Sequence, residues 1–92
     1  MNIELMKSLT QANGVPSMED EVRKIVVSEL RDLSTDIRVD VMGNVIGRVE
    51  GNGGPKVALA AHMDEIGFIV RYIEDSGFLR LQPVGGVDPR TL

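Results

Sequence analysis

The chain has 92 residues, 42% hydrophobic and 26% charged, with a net charge of −4 and no cysteine. That is one small domain at most, or part of a larger one, with the composition of a globular protein rather than a disordered one. Disulfides and thiolate metal sites are excluded. Scattered Lys and Arg with three aromatics (Phe68, Tyr72, Phe78) give nucleic acid neither a basic footprint nor a stacking platform.

The absence of cysteine fits a reducing, cytoplasmic setting. Met1 to Lys7 lacks the basic start and apolar core of a secretory signal. The longest unbroken apolar run, Val57 to Ala61, is far short of the roughly 20 residues that cross a bilayer, so no membrane role is expected.

Residues 2–12 predict a short helix, with Leu5, Leu9 and Ala12 on one face, stopped at Asn13-Gly14 by glycine's access to the left-handed conformation. Ser17 reads as the N-cap of a second helix, with Glu19, Asp20 and Glu21 at the positive end of its dipole. Val22, Ile25, Val26, Leu30 and Leu33 then fall on one face, predicting an amphipathic helix of four to five turns. The acids at its start, with Glu29, read as its solvated face.

The period changes to strict alternation over 36–41, a half-buried strand. Gly43-Asn44 suits a type II′ turn into a second strand at 45–49, with Asp40 serving the turn. Residues 56–61 are apolar on both faces, as in an interior strand covered by helices on both sides. A final hairpin is expected from 68–73 and 78–81 around Asp75-Ser76-Gly77, followed by a loop without helix. Two helices cannot cover both faces of a buried strand at 56–61. Further chain or a partner is therefore expected to complete the fold.

The run His62-Met63-Asp64-Glu65 stands at the end of the predicted interior strand, the edge where open α/β sheets bind ligands. His62 is the only histidine. With strand geometry maintained, His62 and Asp64 leave on the same face. That arrangement suits a metal-ligating imidazole whose other nitrogen is held by a carboxylate. The same spacing arises often by chance, and an ordinary strand-end His with Asp64 bonding a local turn is the commoner cause of it. No phosphate loop or nucleophile elbow is present.

Taken together, the motifs resemble one family. Asp40-Val41-Met42-Gly43-Asn44-Val45-Ile46 is similar to the hairpin that precedes the metal strand in co-catalytic metallo-aminopeptidases. Pro55 through Phe68, with its His-x-Asp-Glu-x-Gly string, resembles the first metal motif of the TET (tetrahedral) aminopeptidases, some of which carry an endoglucanase or deblocking-aminopeptidase label. The tail from Gly77 to Pro89 is also similar, so the resemblance covers nearly the whole chain.

The resemblance implies an α/β fold: residues 1–67 as the N-terminal part of an α/β/α zinc-exopeptidase-like catalytic domain, and 68–92 as the start of an inserted β-rich dimerisation domain. It implies metal-assisted removal of N-terminal residues from peptides, with two divalent ions, zinc or cobalt, and a homo-oligomer of tetrahedral dodecamer type. It matches His62 to the first metal-binding His and Asp64 to the Asp that orients it. The other ligands and the general base of the family have no counterpart before Leu92, so the 92-residue chain is expected to be inactive alone. Two other readings compete. One is a non-catalytic interaction or assembly fragment of the same fold, and the other is a small module that completes a metal site between chains.

Overall fold

The computed structural model describes residues 2–91, the side chain of Thr91 excepted. Helix α1 spans Ile3–Gln11, and the Asn2 side chain caps it by accepting from the Leu5 N–H at 3.1 Å. Helix α2 spans Asp20–Leu30, three turns rather than four to five. Its last carbonyls are taken up by a tightened turn, in which both Leu33 and Ser34 donate to Leu30. Leu33 falls outside the helix and is exposed.

Two expectations about the helix ends fail for local reasons. Glycine's left-handed conformation is not what ends α1, because Gly14 is absent from the positive-φ positions. It is needed instead for close approach: a Cβ there would lie 2.9 Å from Val22 Cγ2 and 3.3 Å from the Met63 carbonyl oxygen. Ser17 does not cap α2. It sits at φ 71° as the third residue of a turn that Met18 closes by donating to Val15, with Pro16 at the second position. Glu19 precedes the first helical residue and gives no side-chain cap.

Strands β1 (Asp36–Val39) and β2 (Val45–Arg48) pair antiparallel, Val39 opposite Val45. The connection is longer than a two-residue type II′ turn. Gly43 N–H closes a turn on the Asp40 carbonyl, Gly43 takes φ 86°, and Asp40 N–H reaches the Asn44 carbonyl. Strands β3 (Gly67–Ile73) and β4 (Leu79–Val84) form a second antiparallel hairpin, with a register shift between Val70 and Tyr72. Strand β4 runs beyond the expected Leu81 through Pro83. Proline is tolerated there because β4 has a partner on one side only. A short 3-10 turn, Pro89–Thr91, stands where only loop was expected.

The largest departure is at residues 56–61. They join neither two-stranded sheet among the described residues, and Val57 and Leu59 are 82% and 97% exposed. A strand exists only in a ladder, because its backbone N–H and C=O groups need a neighbour. Here α2 covers β2 and packs against α1, while β3 and β4 pair with each other. Val22 is the one buried hydrophobic side chain among the described residues. The Cα radius of gyration is 17.6 Å, against about 12 Å for a compact chain of this length. Large apolar side chains, among them Val57, Leu59 and Phe78, are left exposed. No helix among the described residues is long and apolar enough to cross a membrane.

Candidate metal centre

His62 follows the unpaired segment, and its Nδ1 lies 2.9 Å from the Asp64 carbonyl oxygen and 3.0 Å from Asp64 Oδ1. The backbone carbonyl can only accept, so Nδ1 is the donor in this contact, and in the neutral ring the lone pair is then on Nε2. The His62 side chain is 84% exposed, leaving Nε2 open. The His and Asp that the sequence singles out are thus in direct contact without strand geometry to align them. Glu65, beside them, contributes its backbone instead: its N–H donates to the Gly14 carbonyl at 2.7 Å.

The donor chemistry suits one metal ligand with its orienting partner. It does not make a cage. Among the described residues no group of three or more His, Cys, Asp or Glu gathers, and a catalytic zinc takes about three protein ligands.

The connector between α1 and α2 holds the far side of this motif. Asn13 N–H donates to Glu21 Oε2 at 2.9 Å, and the Asn13 amide faces both oxygens of the same carboxylate. These bonds, the backbone one first, hold the Glu21 carboxyl below its ordinary range. At Gly67 a Cβ would collide with Val15 Cγ1, so residues 13–15 run against 63–67.

A second clasp joins α2 to the first hairpin. Arg23 Nε donates to the Gly43 carbonyl at 2.8 Å, while its guanidinium pairs with Asp20 and Glu19. Glu19 also accepts from the Ser17 N–H at 2.7 Å. Asp40 accepts from Met42 N–H, Asn44 N–H and the Asn44 amide, each at 2.9 Å. The Asn44 side chain is the main cause of its lowered pKa, then the Asn44 backbone. The acidic start of α2 is therefore not simply solvated, as expected, since Glu19 and Glu21 tie it to neighbouring loops.

An open groove of about 830 Å³ runs between α2, the Met42–Gly47 stretch and residues 57–64, and includes His62 and Asp64 in its walls. Arg23 and Gly14 are the residues that pattern reading missed. Arg23 had one usable signal, its place on the edge of the apolar face of α2. Gly14 had none, because close approach between segments some 50 residues apart leaves no trace in spacing.

The family profile of the M42 glutamyl aminopeptidases matches residues 43–92, which contain the Gly43-Asn44 turn and the His62–Asp64 motif. The chain belongs to the M42 aminopeptidase family. This M42 chain is 44% identical over 90 residues to the lysyl aminopeptidase of Pyrococcus furiosus, a match covering 97% of the chain and 26% of that relative. Its fold is similar to that of an aminopeptidase from the archaeon Desulfurococcus kamchatkensis, with a TM-score of 0.83 at 45% identity. A TET aminopeptidase from a marine sediment archaeon of the Thaumarchaeota matches with a TM-score of 0.83 at 36% identity. Both cover 98% of this chain and 25% of the other. The M42 chain is thus a mixed helix-and-sheet chain that matches about a quarter of these aminopeptidase structures, and it spans about a quarter of the length of the curated relatives it matches.

Proposed function

We propose that this chain supplies the first metal ligand, His62, and its orienting residue, Asp64, to a two-metal aminopeptidase that removes N-terminal residues from peptides. The observation that carries the reading is the 3.0 Å contact between His62 Nδ1 and Asp64 Oδ1, which leaves Nε2 as the free donor within a sequence matching the M42 family. Asp64 fixes the tautomer and aims the ring, and His62 offers one nitrogen. When bound, a pair of zinc or cobalt ions supplies the Lewis-acid chemistry of amide hydrolysis. One ligand does not hold a catalytic metal, so the 92-residue chain is inactive alone.

Residues 1–67 belong to the catalytic domain in this reading, and 68–92 begin an inserted dimerisation domain. The supporting feature is the second hairpin, which opens at Gly67 and exposes Phe68, Tyr72 and Leu81. The kinship to TET aminopeptidases supports a homo-oligomer of tetrahedral dodecamer type. The absence of cysteine supports a cytoplasmic setting. A second reading, an interaction fragment without catalysis, is favoured by one observation: the bare apolar segment holding Val57 and Leu59.

Release of the N-terminal residue from peptides, in zinc or cobalt, separates the two. The full-length protein carrying this sequence is expected to be active, and both its His62→Ala variant and the isolated 92-residue chain inactive. Activity retained by His62→Ala, or shown by the isolated chain, would overturn the first reading.

A further inference from the structure

The connector between α1 and α2 does more than join two helices. Its backbone reaches the metal motif by a continuous route. The Glu21 carboxylate accepts from Asn13 N–H at 2.9 Å, and the next residue, Gly14, accepts from Glu65 N–H at 2.7 Å. Glu65 is the neighbour of Asp64, whose carbonyl and carboxylate both face His62 Nδ1. Gly14 is buried, and only a hydrogen at its α-carbon fits: a Cβ would press on Val22 Cγ2 at 2.9 Å and on the Met63 carbonyl at 3.3 Å. The motif itself lies outside any sheet, so no ladder hydrogen bonds hold its backbone. The bond to Gly14 is the long-range backbone hydrogen bond that holds residues 62–65 among the described residues.

We propose that Glu21 and Gly14 are positioning residues for the His62–Asp64 pair, acting through Asn13 and Glu65; the functional sense of this rests on His62 being a metal ligand. The carboxylate sets where Asn13 lies, Asn13 sets Gly14, and the Gly14 carbonyl sets the backbone from which Asp64 turns back to the imidazole. Loss of the clip frees the Asp64 carbonyl and carboxylate together, so the ring loses both the tautomer and the direction that suit ligation. The acceptor at Glu21 is what matters, since Asn13 donates from its backbone. Glutamine keeps an oxygen there and alanine does not.

The test uses the full-length protein carrying this sequence, freed of metal, in four variants: Glu21→Ala, Glu21→Gln, Gly14→Ala and His62→Ala. Two quantities are read: the ¹⁵N signature of the His62 ring, which distinguishes the Nδ1-protonated tautomer, and the affinity for zinc alone. Glu21→Ala and Gly14→Ala are expected to reduce the Nδ1-protonated fraction and weaken zinc binding by about tenfold, the lower end for residues that support a ligand indirectly. Glu21→Gln restores both. A Glu21→Ala protein with unchanged ring signature and zinc affinity overturns the proposal, as does loss that Glu21→Gln fails to restore. Glu21 is exposed, so its variants report even where Gly14→Ala does not fold. His62→Ala separates the two readings. If it leaves zinc affinity intact, the assignment of His62 as a ligand fails. If it abolishes binding while Glu21→Ala does nothing, only the clip fails.

Discussion

Replacing Arg23 by methionine tests how the first hairpin is held against α2. Methionine keeps most of the stem that packs beside the helix and removes the Nε donor to the Gly43 carbonyl and the pairs with Asp20 and Glu19. A hydrogen bond from a charged donor is worth about 1.5–3 kcal/mol. The Arg23 side chain is 21% exposed, so water replaces part of it and the lower end applies. The pair with Asp20 adds little, since that carboxylate is 79% exposed. A net loss of about 1.5 kcal/mol corresponds to roughly tenfold in the opening equilibrium of the hairpin loop. Native-state amide exchange reads this directly at Asp40, Gly43 and Asn44, whose N–H groups are all bonded within the loop. Arg23→Met is expected to speed their exchange about tenfold while leaving α1 unchanged. Arg23→Lys recovers only part, because a single ammonium cannot serve the carbonyl and the carboxylates at once. Unchanged exchange in Arg23→Met would refute the clasp.

The Asp40 loop carries a pH dependence whose sign is fixed. The Asn44 side chain, then its backbone, hold the Asp40 carboxyl below its ordinary value of 3.8. The stability it lends is therefore full above that value and is lost as pH falls through the lower folded value. The Asn44 amide resonances, followed on acidification, are expected to lose their folded positions only there, and Asp40→Asn to remove the transition. Ser17→Gly is expected to stabilise by roughly 0.5 kcal/mol in chemical denaturation of the full-length protein. It relieves a left-handed backbone that costs a side-chain-bearing residue about 1–2 kcal/mol, offset by glycine's entropy. Leu59→Lys is expected to reduce self-association of the isolated chain in sedimentation, since Leu59 is 97% exposed on an apolar segment without a sheet partner.

What could be read from the sequence was what local physics determines. The spacing of Val22, Ile25, Val26 and Leu30 marks α2 because one face meets the rest of the chain. The alternation at 36–39 marks β1 because its neighbour β2 follows directly. Alternation continued to Val41, yet β1 stops at Val39, because the Asp40 carboxylate draws the Met42 and Asn44 amides into the loop. Residues 56–61 have the composition of an interior strand and lack the neighbours that make one. Composition states a preference, and pairing is a property of the surroundings. Ser17 shows the same limit at small scale. Its hydroxyl suits a helix cap, but Pro16 directs the backbone into a turn that leaves Ser17 two residues before the cap position at Glu19. The His62–Asp64 contact needs only two residues of separation, whereas the Gly14–Glu65 bond joins distant segments and becomes visible only in the fold.

The most direct measurement is anomalous X-ray diffraction from crystals of the full-length protein grown with zinc or cobalt. A metal peak within bonding distance of His62 Nε2, with Nδ1 still turned to Asp64, is the predicted result. A metal bound elsewhere with Nε2 free, or one bound through Nδ1, would contradict the assignment on which the proposed function stands.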